Sequence, residues 1–183
     1  MMDRHQASSA LADVTDIARR VRQSMFYRHA SSMLMLWGVL TAVGYVVAFA
    51  APSIAGTSWI VVVVLGIVAS VATGIANRRR AGVNTFDART AAAFLLFVAF
   101  GFVWSVAIGT FTPRQIGAFW ASYFMLAYTL AGLWLGRAFV AIGLGVTALT
   151  LVGYFFAGPW FNLWMAVVYG GGLLLGGFWM RHN

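Results

Sequence analysis

Six apolar runs, at 33–51, 59–76, 91–111, 116–135, 138–157 and 161–180, occupy most of this chain, and none contains Asp, Glu, His, Lys or Arg. Each is about 18 to 21 residues long, which at 1.5 Å per residue covers the roughly 30 Å hydrocarbon core of a bilayer with little tilt to spare. A soluble domain is excluded: only 9% of the 183 residues are charged and 62% are apolar, where a soluble domain carries roughly 25% charged residues. The fold class predicted is all-α, a polytopic membrane bundle of six transmembrane helices. Residues 1–30 form a polar, basic preceding segment and residues 31–183 the membrane domain.

Orientation follows from the arginines, because positive residues in short loops are retained on the cytoplasmic side. All twelve basic residues are arginine, and all four acids are aspartate (Asp3, Asp13, Asp16 and Asp87). Eleven arginines fall in the N-terminal segment, the 77–90 loop, the turn at Arg137 and the C-terminus. The opposite turns, near Pro52, Pro113 and Pro159, hold only Arg114. Both termini are therefore expected in the cytoplasm. No short apolar segment with a small-residue cleavage site precedes the first span, which is expected to act as the insertion signal. An arginine-rich start also suits a mitochondrial transit segment, but Asp13 and Asp16 in its helical part go against that, and a bacterial inner membrane is the location predicted. Without cysteine there are no disulfides, thiolate nucleophiles or thiolate metal sites.

The three prolines fall in the three outer turns, and each is followed by a tryptophan: Pro52 by Trp59, Pro113 by Trp120, Pro159 by Trp164. Val43-Gly44-Tyr45 before Pro52 matches Val152-Gly153-Tyr154 before Pro159. This points to three hairpin repeats in series; the competing reading is that proline favours turns and tryptophan favours interfaces in any polytopic protein. Small residues recur every four positions at Gly66, Ser70 and Gly74, at Gly132 and Gly136, and at Gly172 and Gly176, and are expected to let helix backbones approach closely within the bundle or between copies. The glycine-dense 170–177 stretch predicts a local bend.

Ionisable groups at depth mark proton relays, ion paths and catalysis, so their absence from the spans argues against a paired-aspartate protease, a carboxylate antiporter or a bis-histidine haem bundle. The chain is read as not an enzyme, with no cofactor and no metal. His29 and His182 flank the first and sixth spans at one depth, with Asp87 the nearest third ligand, but two histidines fall short of the three protein ligands zinc usually takes. Intramembrane hydroxyls are expected to bond to the carbonyl one turn back.

Residues 8–29 place Leu11, Val14, Ile17, Ala18, Val21 and Met25 at helical spacing, with aspartates early and arginines late, as suits the helix dipole. A cytoplasmic amphipathic helix is predicted. Arg19, Arg20, Arg22 and Arg28, with Arg78, Arg79 and Arg80, are the expected surface for the anionic inner leaflet or a protein partner, each well-placed arginine contributing about 1 kcal/mol toward anionic lipid. Nucleic acid is not expected, for lack of a recognisable binding motif. Two functions fit. One is a non-enzymatic membrane protein acting by association, such as a regulatory or accessory subunit. The other is a small permease or channel for a neutral or aromatic solute, with Tyr45, Trp104, Tyr154 and Tyr169 as its ligand-binding residues.

Overall fold

Proline at the start of a helix loses no hydrogen bond, because the first N–H groups have no intrahelical acceptor, and this chain begins its return helices that way. The computed structural model describes residues 30–81 and 88–182. Helix α1 (Ala30–Ala50) ends at Ala51, and a 3-10 turn from Pro52 to Ile54 leads into α2 (Ala55–Ala81). Helix α3 (Ala88–Phe102) continues in π geometry from Val103 to Ile108, and then Gly109 leaves helical geometry with ψ 136°. The third span thus stops short of the 111 expected from hydropathy. Thr112 caps α4 (Pro113–Leu135) in a capping box: the Gln115 N–H donates to Thr112 Oγ1 at 3.4 Å, and the Thr112 N–H donates to Gln115 Oε1 at 2.8 Å.

Gly136 alone joins α4 to α5 (Arg137–Phe156), at φ 140°, a conformation only glycine adopts readily. After a second 3-10 turn, Gly158–Trp160, the sixth span runs as α6 (Phe161–Met165), a π stretch (Ala166–Gly171) and α7 (Gly172–His182). That π stretch overlaps the glycine-dense 170–177 segment only at Gly170 and Gly171, and Gly172 to Gly177 lie in regular helix. Among the described residues there are no strands, and six helices are long and apolar enough to cross a membrane.

The core lies between α1, α4, α5 and the sixth span, where Leu34, Met125, Met165 and Leu173 are fully buried. The sixth span buries 44% of its most apolar window, α2 and α3 only 11% each. Helices α2 and α3 are therefore peripheral, fastened by aromatic rings. The Trp37 indole of α1 lies over Gly66 and donates to Ser70 Oγ at 3.3 Å. On the other side Phe97 of α3 stacks on Tyr123 of α4 at 4.1 Å, and the Tyr123 hydroxyl donates to the Phe97 carbonyl.

This corrects the expected use of the small residues. Gly66 and Ser70 receive an indole ring rather than a backbone, and a Cβ at Gly74 would meet nothing within 4 Å. Gly136 is a joint, and Gly172 and Gly176 receive Val146 and Ile142 side chains from α5; of these positions Gly132 does meet backbone as expected, a Cβ there lying 2.6 Å from the Val140 nitrogen. The other close backbone approaches lie elsewhere. A Cβ at Gly170 would sit 2.6 Å from Ala42 Cβ and 2.9 Å from its Cα, and one at Gly143 would sit 2.7 Å from the Met125 carbonyl. Spacing marks a smooth face, but the neighbour's side chains decide what fills it.

Most intramembrane hydroxyls behave as expected from local chemistry, although Ser105 Oγ is buried without a hydrogen-bond partner. Those of Thr41, Thr73, Ser122, Thr129, Thr147 and Thr150 each donate to the carbonyl one turn back, at 2.7 or 2.8 Å. Ser31 instead reaches across to the Gly177 carbonyl at 2.6 Å, tying α1 to α7.

Candidate functional site

Three of the four aromatic residues singled out by sequence lie along one seam toward the proline-bearing end of the bundle. Tyr45 of α1 is buried and donates its hydroxyl to the Gly117 carbonyl of α4 at 3.0 Å. Its ring meets Trp59 edge-on at 4.9 Å and Tyr169, from the π stretch, at 6.3 Å. A Cβ at Gly117 would lie 3.4 Å from the Phe161 ring and 3.6 Å from the Tyr45 ring, so these side chains share one small space. Phe161 in turn meets Tyr154 edge-on at 6.4 Å. Trp104 does not join them: its side chain faces outward from α3 and is 56% exposed.

Arg114, in the first turn of α4, closes the seam at the bundle end. Its Nη2 donates to the carbonyls of Gly153 and Tyr154 in the last turn of α5, where helix polarity favours a cation. The guanidinium carbon sits 5.2 Å from the Tyr154 ring centroid and 5.4 Å from that of Phe161, both within cation–π range. Nε is buried and without a hydrogen-bond partner. Beside it opens a cavity of about 300 Å³ between Thr112, Pro113 and Arg114 on one side and Pro159, Phe161 and Asn162 on the other. Sequence reasoning marked Arg114 as the single charge of its face but did not assign it a site. The Thr-Pro-Arg-Gln capping box that fixes it was legible there.

The basic surface is only partly within view. Helix α2 runs through Arg78, Arg79 and Arg80 to Ala81, which carries those residues beyond the apolar window ending at Ala76. Arg19, Arg20, Arg22 and Arg28, and with them the amphipathic helix, lie outside the described residues, as do His29 and Asp87. Among the described residues no three His, Cys, Asp or Glu side chains group together.

A glycine–tryptophan contact is present in each of the three helix pairs, through the six-membered ring edge at Gly44 and Gly101 and through the pyrrole edge at Gly153. Trp59 lies over Gly44, Trp120 over Gly101, and Trp164 over Gly153, the last with its indole N–H donating to the Leu149 carbonyl at 2.9 Å. Tyr45 and Tyr154, which follow the first and third of these glycines, both end against the start of α4. Compared with known proteins, the chain matches no family model, no curated protein and no solved structure.

Proposed function

We propose that this chain is a non-enzymatic integral membrane protein acting by association, as a regulatory or accessory subunit. Residues 1–28 and Arg78–Arg80 form its contact surface for a partner and for anionic lipid. The observation that supports this is the filled interior: close glycine crossings are occupied by rings and backbone, and six intramembrane hydroxyls are satisfied by carbonyls of their own helices. A bundle so occupied presents its chemistry at its surfaces. Deleting residues 1–28 is expected to leave the membrane domain inserted while lowering recovery of a stoichiometric partner, measured by native mass spectrometry of protein extracted from its own membrane, by about tenfold or more. Unchanged partners after the deletion would remove the proposal.

The orientation proposed is a bacterial inner membrane with both termini in the cytoplasm, supported by the eleven-to-one distribution of arginines between the two ends of the bundle. Alkaline phosphatase fused after Asn183 is expected to be inactive, and active when inserted into the 109–112 turn. The reverse pattern would invert the orientation.

The presence of a glycine–tryptophan contact in each helix pair supports descent of the three hairpins from one unit. The permease reading keeps one observation of its own: Tyr45, Tyr154 and Tyr169 line a seam beside π geometry, a helix irregularity frequent at functional sites. Proteoliposomes taking up no neutral or aromatic solute above the empty-vesicle rate would count against it.

A further inference from the structure

We infer that the cavity beside Arg114 is a phosphate site, built for the phosphodiester of a lipid headgroup at the end of the bundle opposite Arg78–Arg80. The argument begins with charge balance. Arg114 is partly buried, and a cation withdrawn from water needs a countercharge or a full set of acceptors. Among the described residues neither is supplied. The four acids of the chain, Asp3, Asp13, Asp16 and Asp87, all lie outside the three turns of this end. The Gly153 and Tyr154 carbonyls engage only Nη2 of a group with five N–H donors, and Nε is buried without a partner.

Geometry then selects the ligand. The Tyr154 and Phe161 rings lie beside the guanidinium, and with Nη2 engaged by the two carbonyls it has Nη1 left to donate a charge-assisted hydrogen bond to a phosphate oxygen. The adjoining cavity, about 300 Å³, is large enough for a phosphodiester with part of its headgroup. Asn162 on the far wall adds an amide able to donate to a phosphate oxygen. Arg114 stands one residue inside the first position of the fourth candidate span, the depth at which headgroup phosphates lie.

The test uses the full chain in mild detergent, titrated with phosphatidylglycerol and followed by native mass spectrometry. One lipid per chain should be retained by the unaltered protein. Arg114→Gln should weaken its retention about tenfold, the loss of one charge-assisted contact. Asn162→Trp, which fills the cavity and leaves the α5 contact of Arg114 in place, should do the same, so the outcome does not depend on Arg114→Gln folding. Arg137→Gln, on the other face, should retain the lipid. Equal retention by Asn162→Trp and the unaltered chain would overturn the inference, as would loss in Arg137→Gln alone. Inorganic phosphate separates the sources: displacement of phosphatidylglycerol by phosphate supports a site reading the phosphate itself, and phosphate bound with no lipid retained assigns the site to the free anion. Retention of neither overturns it.

Discussion

Gly143→Ala should lower the unfolding temperature of the solubilised protein, while Gly145→Ala, two residues further along the same helix, should leave it unchanged or raise it. A Cβ at Gly143 would overlap Thr129 Oγ1 and lie 2.7 Å from the Met125 carbonyl oxygen; one at Gly145 would meet nothing within 4 Å. Thr129 can rotate away only by giving up its hydrogen bond to that same carbonyl. The carbonyl belongs to the backbone of α4, so relief requires α4 and α5 to separate along a hairpin whose joint is a single residue, Gly136. Overpacking of this kind costs about 1–3 kcal/mol, whereas Gly→Ala in open space gains up to about 1 kcal/mol of helix propensity. The same contrast should appear between neighbours in the sixth span. Gly170→Ala forces a methyl against Ala42 of α1, and Gly171→Ala meets nothing. Thermal unfolding of the solubilised protein followed by circular dichroism reads both pairs. If the members of each pair melt alike, the helices are not as close as described.

The six crossings were legible because hydropathy and length report directly on the cost of burying backbone and charge in lipid. So were the local hydrogen bonds of Thr41, Thr129 and Thr150, which depend only on a carbonyl one turn back in the same helix. Neighbour relations were not. In a water-soluble helix the polar face identifies the outside, but in a span every face is apolar. Leu34 and Leu173 are buried while Leu133 and Leu175 face outward, and nothing in the residue type separates them. The Gly66–Ser70 face shows the same limit, since its spacing is that of a helix crossing and its occupant is the Trp37 ring from 29 residues earlier. Arg114 stood out as a lone charge, yet the carbonyls that hold it are 39 and 40 residues away. Of the proposed site residues, Tyr45 and Tyr169 meet and Tyr154 joins them only through Phe161, while Trp104 sits apart because the third span is peripheral.

Met165→Ala should destabilise the bundle by about 2–3 kcal/mol, the lower part of the range for large-to-small core changes. Met165 and Met125 are both fully buried where α4, α5 and the sixth span meet. In water such a substitution loses the transfer of the side chain from solvent and also leaves a cavity. In a membrane the first loss is small, because the lipid reference is as apolar as the protein interior, and what remains is the missing dispersion contact around the void. Met165→Leu, which nearly conserves volume, should therefore cost less than about 1.5 kcal/mol. Leu175→Ala and Leu133→Ala, at positions 73% and 67% exposed, should fall within about 0.5 kcal/mol of the unaltered protein. Detergent-induced unfolding of the four variants separates the two assignments of face. Equal losses for Leu175→Ala and Met165→Ala would mean that the outward face of the sixth span is covered by another copy or a partner in the extracted state. Met165→Ala without effect would instead place the core elsewhere. Because hydrophobic transfer drops out, the difference between Met165→Ala and Leu175→Ala measures how much of this fold rests on interlocking shape alone.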